Sequence, residues 1–208
     1  MRKLLIATKN PGKILEYEEI FKQLKIPLRL ISLKRLNIKE RIEENGKTFE
    51  ENAIQKARFY YKLTGLPTLS DDSGIEIDYL NGEPGVKSRR WPSSAKASEG
   101  KPEYEASDEE IIKFTLKKLR GVPISKRGAQ LRAVIGLIFP GDEKVYTFEG
   151  VLRGHIAEKP IKLRMNGYPF RSIFIPLSGN KYLGELSVVA HRKQALEKAL
   201  PIIKKYLC

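Results

Sequence analysis

Two adjacent carboxylates, Asp71 and Asp72, stand between Ser70 and Ser73-Gly74, directly after the short run Pro67-Thr68-Leu69. Carboxylates at the carboxyl end of a strand lie where α/β folds collect ligands and metals. There they can hold a hard cation or orient and deprotonate a water molecule. Neighbouring strand residues point to opposite faces, so one of the pair reaches a given site while the other caps the following turn or pairs with a lysine. Asp, Ser and Gly are also turn formers, and by residue type alone a turn is the simpler reading.

A second group is Thr8-Lys9-Asn10-Pro11-Gly12-Lys13, with a hydroxyl, an amide, backbone donors and two ammonium groups ahead of an expected helix. Such a helix start suits a polyphosphate, and equally suits an ordinary capped loop. It is not a P-loop, which needs two glycines and a Lys-Ser/Thr ending. Glu40, Glu43, Glu44, Glu50 and Glu51 form an acidic cluster in an otherwise basic chain. Magnesium needs one or two carboxylates beside waters and phosphates, so one Glu with one Asp is sufficient. Most of these glutamates simply favour the start of a helix. His191-Arg192, with Lys181 upstream, can donate to carbonyl or phosphate oxygens. With no cysteine nearby, zinc is not expected there.

The elements that must position these groups follow from periodicity. Leu4-Leu5-Ile6-Ala7 reads as a buried strand, followed by a loop through Gly12 and a helix from Lys13. On that helix Ile14, Leu15, Ile20, Phe21 and Leu24 form the apolar side and Glu16, Glu18 and Lys22 the polar side. Leu28 to Leu33 is a second strand. Thr48 with Glu51 predicts a capping box, opening a helix with Phe49, Ala53, Ile54, Ala57 and Tyr60-Tyr61 as its stripe and ending near Gly65. Pro67 to Ser70 is a brief strand and Ile75 to Leu80 an alternating one, with a long loop expected from Ser88 to Ser107. Asp108 to Leu119 is helical by pattern. Ala129 to Phe139 and Val145 to Leu152 pair across Pro140-Gly141-Asp142, Ser172 to Pro176 is a strand, and Val188 to Leu207 is a last amphipathic helix containing Pro201.

The 208 residues are enough for one domain with a sizeable core, and 41% hydrophobic with 31% charged residues excludes a disordered chain. The net charge of +14 favours anionic partners or reflects a solvated surface, and its spread from Arg2 to Lys205 forms no tail. A single cysteine, Cys208, forms no intrachain disulfide and fits a reducing interior. No stretch approaches the roughly 20 apolar residues that cross a bilayer. Lys9 and Asn10 cut short any signal-peptide core, so a cytoplasmic protein is expected, without membrane attachment.

Taken together, the wording and order of these segments resemble one family, the non-canonical purine nucleoside triphosphate pyrophosphatases, or inosine triphosphate pyrophosphatases. The resemblance rests on Ala7 to Lys13 with Glu16, on Thr48 to Ala53 with Lys56-Ala57, and on Ser70 to Gly74 followed by Asn81 to Val86 and Ser88-Arg89. It spans nearly the whole chain. It implies an α/β fold: an elongated mixed sheet, a single pyrophosphatase domain over 1–208 with two lobes, the second at roughly 120–180, and a central substrate cleft. It also implies a homodimer that converts inosine, deoxyinosine or xanthosine triphosphate to monophosphate and pyrophosphate with Mg2+. Carried over by position, Thr8, Asn10 and Lys13 serve the phosphates, Asp72 is general base or metal ligand, Glu44 a second metal ligand, and Ser73 meets substrate. His191 and Arg192 serve the base, with Lys181 a weaker match. Donors there would recognise a 6-keto oxygen and not a 6-amino group.

One segment departs. Where the family has Gly-Phe-Gly-Tyr-Asp-Pro, this chain reads Gly167-Tyr168-Pro169-Phe170-Arg171-Ser172. Tyr168 and Phe170 can still stack on a purine, while the acid becomes Arg171. The stretch from Leu186 to His191 is also shorter than in the family, which removes the place of its substrate lysine. Three functions therefore follow: the pyrophosphatase itself, one with altered base preference, and a catalytically weakened nucleotide or nucleic-acid binder, with nucleic acid the less favoured partner.

Overall fold

A computed structural model describes residues 2–91, 106–186 and 190–207. Strand β1 (Lys3–Ala7) leads through Thr8-Lys9-Asn10 into helix α1 (Pro11–Gln23), and β2 (Arg29–Ser32) follows. Helix α2 (Phe49–Thr64) precedes the long strand β3 (Thr68–Ile77), and α3 (Asp108–Lys118) precedes the strands β4 (Gly128–Phe139) and β5 (Asp142–Ile156). β6 (Phe174–Pro176) and α4 (Ala190–Leu207) complete the described chain. The six strands form one mixed sheet in the order β2-β1-β3-β4-β5-β6. β1 is parallel to β2 and β3, whereas β5 and β6 are antiparallel. The mixed α/β class expected from the sequence is what is observed.

The chain divides into two compact units. The first comprises Met1–Asp72, Ala133–Val151 and Val189–Cys208, the second Ser73–Arg132 and Leu152–Val188. In the first unit β1 is buried on both faces, as a strand covered by helices on each side must be. Leu4 and Ile6 join Tyr17, Phe21, Leu69 and the α4 residues Ala195, Leu196 and Ala199. Leu5 and Ala7 join Leu33 and Tyr60 of α2 in a separate cluster. The second unit has its own core, in which Ile75, Ile77, Ile111, Ile112, Phe170 and Phe174 pack together.

Several expectations change. The two strands expected on either side of the Asp pair are one: β3 runs unbroken through Ser70 to Gly74, and Asp78–Leu80 is a 3-10 turn instead of strand. Strand pairing overrides the turn propensity of Asp-Asp-Ser-Gly, because Thr68 to Ser70 pair with Leu5 to Ala7 and Ser70 Oγ donates to the Ala53 carbonyl at 2.6 Å. The pairing with β1 stops at Ala7–Ser70, so both aspartates lie just past the carboxyl end of β1. Helix α1 starts at Pro11, with Pro in the first turn where its missing N–H costs nothing. Its buried stripe is Glu16, Tyr17, Ile20 and Phe21, so Glu16 is not on the solvent side, and Leu15 is exposed. β5 is longer than expected at both ends, beginning at Asp142, which the turn was expected to hold, and ending at Ile156. The expected loop Ser88–Ser107 lies outside the described residues over 92–105, and Gly85–Arg90 is 3-10 helix.

Candidate functional site

The phosphate-friendly loop is held by its own polar groups. Asn10 caps α1, its side-chain oxygen accepting from Gly12 N at 2.9 Å and Lys13 N at 3.4 Å, while Thr8 Oγ1 accepts from Asn10 N at 3.2 Å. With the Asn10 oxygen occupied, its NH2 end is the donor that remains for an anion. Lys13 leaves the first turn of α1 toward β3.

On β3 the alternation of faces sorts the two aspartates. Leu69 and Asp71 face α1 and α4. Ser70 and Asp72 face α2. Asp71 accepts Lys13 Nζ on Oδ1 at 2.5 Å, and Tyr17 OH at 2.6 Å and Arg192 Nε at 2.8 Å on Oδ2. Burial by itself would raise its pKa. The charges of Arg192 and Lys13 and the hydrogen bonds from Lys13 and Tyr17 outweigh that and hold the carboxyl far below the ordinary range. The same surroundings push the Tyr17 phenol well up, through burial first and the Asp71 charge next, so it stays a donor.

Asp72 has a poorer shell. Asn52 Nδ2 donates to Asp72 Oδ2 at 2.9 Å, and the Asn52 oxygen is fixed in turn by Gly46 N at 2.8 Å. Lys56 Nζ donates to Glu44 Oε1 at 2.8 Å and to the Asp71 carbonyl at 3.0 Å. Burial is the largest influence on Asp72 and raises its pKa; the Lys56 charge opposes, Glu44 adds, and the outcome is about 6. Burial would depress the Lys56 ammonium, but Asp72 and Glu44 outweigh it and keep it firmly charged. One buried ammonium thus donates to Glu44 while its charge also acts on Asp72.

His191 and Arg192 open α4 and are buried. Their place is set by Gly150 on β5: a Cβ there would stand 1.9 Å from the His191 carbonyl oxygen and 2.8 Å from Ala195 N. Val151 N adds a bond to Gln194 Oε1 at 2.7 Å. The Arg192 guanidinium meets Glu16 Oε2 at 2.8 Å as well as Asp71, and His191 Nε2 lies 3.3 Å from its Nη1. Thr8, Asn10, Lys13, Glu44, Asp72, His191 and Arg192 thus belong to the first unit.

Ser73, Tyr168, Phe170 and Lys181 belong to the second unit. There Ser73 and Tyr168 are half-buried, Lys181 is exposed, and the Phe170 ring lies in the core beside Ile173 and Leu183. Arg171 is buried, its Nη2 donating to the carbonyls of Leu183 at 3.2 Å and Leu186 at 2.8 Å. Its guanidinium carbon stands 5.7 Å from the centre of the Tyr168 ring. The shortened stretch before His191 lies outside the described residues over 187–189.

Lys56, Asn52, Tyr17 and Glu16 were not among the residues expected at the site. A signal for three of them is in the sequence: Asn52 and Lys56 fall on the α2 stripe of Phe49, Ala53, Ala57 and Tyr60, and Glu16 falls beside Tyr17 and Ile20 on that of α1. Polar residues at apolar-stripe spacing must be paired inside the fold.

The model of the Ham1 family matches residues 4–202. A protein of Bacillus subtilis (strain 168) named dITP/XTP pyrophosphatase is 35% identical over 209 residues, covering 98% of each chain. One of Caldanaerobacter subterraneus subsp. tengcongensis, with the same name, is 38% identical over 213 residues, covering 100% of this chain and 98% of its own. A solved HAM1 protein from Coxiella burnetii superposes with a TM-score of 0.79 at 33% identity, over 99% of this chain and 100% of that one.

Proposed function

The chain belongs to the Ham1 family, and on that premise we propose that it hydrolyses inosine, deoxyinosine and xanthosine triphosphates to the monophosphate and pyrophosphate. The observation that carries the reading is the setting of Asp72: a buried carboxylate held by Asn52, on the face of β3 where the buried Lys56 pairs with a second carboxylate, Glu44. With a single side-chain amide donating to it, this carboxylate keeps lone pairs with which to orient, or take a proton from, water attacking a phosphoryl group. Asn52 fixes its rotamer by engaging Oδ2. Thr8, Asn10 and Lys13 form the phosphate-binding side of the same unit, and Lys56 keeps Glu44 and the Asp71 carbonyl in place.

Asp72 and Glu44 also fit a magnesium ion. They are hard oxygen donors close enough for the charge of Glu44 to act on Asp72. Two protein carboxylates completed by substrate phosphates and water is how magnesium is ordinarily held. Bound there, it would neutralise phosphate oxygens during hydrolysis. Glu40 and Glu43 are exposed, which favours Glu44 as the second donor. Ser73, Tyr168, Phe170, Lys181, His191 and Arg192 are proposed for substrate, and a homodimer for the assembly. Among the described residues no helix is long and apolar enough to cross a membrane.

The test is pyrophosphate release from inosine, xanthosine, adenosine and guanosine triphosphates, with magnesium and with chelator. Metal-dependent release from the first two is expected, and release from none of them sinks the proposal. A second reading, altered base preference, is favoured by Arg171, whose buried guanidinium stands where the family has an acid. A preference for adenosine or guanosine triphosphate in the same assay would select it.

A further inference from the structure

We infer that Asp71 is a positioning residue, a shared anchor that orients both Lys13 and Arg192 and so ties recognition of the phosphates to recognition of the base. The inference rests on the reading above, which supplies the roles of those two cations. The carboxylate divides its oxygens between them, Oδ1 to Lys13 Nζ at 2.5 Å and Oδ2 to Arg192 Nε at 2.8 Å. The cations are 179 positions apart in the chain (192 − 13) and come from α1 and α4, while the anion comes from β3. Asp71 is 1% exposed and Arg192 3% exposed, so water does not compete for their contact, whereas Lys13 is half-buried and keeps a side open to an anion.

Lys and Arg are the side chains with most rotamer freedom to lose. Ordering them before substrate arrives removes that cost from the binding step. A single carboxylate serves two cations, so displacing either changes the hold on the other. Glu16 and Tyr17 complete the set, Glu16 at 2.8 Å from Arg192 Nη1 and Tyr17 OH at 2.6 Å from Asp71 Oδ2, and neither joins Lys13 to Arg192 as Asp71 does.

The experiment compares wild-type protein with Asp71→Asn by two quantities that do not depend on how much of the sample is folded. The first is the inhibition constant of inorganic tripolyphosphate. The second is the ratio of kcat/KM for inosine over adenosine triphosphate. Both are expected to worsen by about tenfold or more. A fall in kcat alone, with both quantities at wild-type values, marks a merely structural role and overturns the inference. A change in only one of them also overturns it, because the anchor is then not shared. Should Asp71→Asn yield no soluble protein, Lys13→Gln decides: Asp71 then balances Arg192 alone, and the base ratio is expected to shift by about threefold. An unchanged ratio in Lys13→Gln overturns the inference. Wild-type protein that releases pyrophosphate from no nucleotide overturns the functional reading itself, which no result on the variants can mimic.

Discussion

The two faces of β3 at Asp71 and Asp72 present the same side chain in opposite electrostatic states. On one face Asp71 is satisfied by a lysine, an arginine and a phenol, and its pKa is driven far down. On the other Asp72 has one amide and the through-space charge of a lysine that donates to Glu44, and its pKa is driven up to about 6. Burial is the largest influence on both, so the difference comes from the partners. A carboxylate already neutralised by its own fold has little capacity for a proton or a metal. The under-compensated one retains it, and reactivity is expected on the α2 face.

The sharpest way to break this comparison is Asp72→Asn. Turnover of inosine triphosphate is expected to fall by about a thousandfold or more, the scale for losing a general base in a hydrolytic centre. Stability should move the other way. A carboxylate whose pKa is raised on folding contributes stability that is present below its unfolded pKa of 3.8 and lost as pH rises through about 6. The neutral Asn avoids that loss, so in chelator at pH 8 the variant should be more stable by about 1 to 3 kcal/mol. Denaturant unfolding checks it; a less stable variant would show that Asp72 is compensated after all.

Asp71→Asn should do the reverse to stability. Removing the anion leaves Arg192 and Lys13 under-compensated in a buried place, with an expected cost of about 3 to 5 kcal/mol. Unfolding midpoints of the two variants should therefore lie on opposite sides of wild type. If both shift in one direction, the contrast between the faces fails.

Much of this was legible in the sequence, and the exceptions share a cause. Leu4 to Ala7, the Thr48 cap and the hairpin turn at Gly141 appear where local pattern put them, because there local preference and tertiary packing agree. The capping box is only half as expected: Thr48 Oγ1 accepts Glu51 N, but the Glu51 carboxylate accepts Lys47 N. Asp71-Asp72 reads as a turn because every residue there prefers one, and the pairing of β3 with β1 is not visible locally. Glu16 reads as solvent-facing because charge usually is, and Lys56 is given no site role. Their burial depends on partners contributed by α4 and β3.

Gly150→Ala tests whether the place of Arg192 depends on backbone approach as well as on Asp71. A methyl group at 1.9 Å from the His191 carbonyl cannot be accommodated unless α4 or β5 shifts. The expected cost is about 1 to 3 kcal/mol. KM for inosine triphosphate should rise more than kcat falls, since the displaced residues are proposed for the base and not for proton transfer. A kinetic profile identical to wild type would free Arg192 from the geometry of α4.

The smallest effect is expected at Tyr17→Phe, and it separates charge from hydrogen bonding on the Asp71 face. Tyr17 is fully buried, and its phenol donates to Asp71 Oδ2 at 2.6 Å. The ring also packs with Leu4, Ile20 and Phe21, and Phe keeps all of that contact. What is lost is one neutral donor to a carboxylate that retains both cations, so about 1 kcal/mol of stability should go. Steady-state rates should stay within about twofold, because Lys13 and Arg192 keep their ionic hold on Asp71. A loss as large as that of Asp71→Asn would mean that the phenol, and not the pair of cations, sets the state of this carboxylate, and the contrast between the two faces of β3 would have to be redrawn around hydrogen bonding.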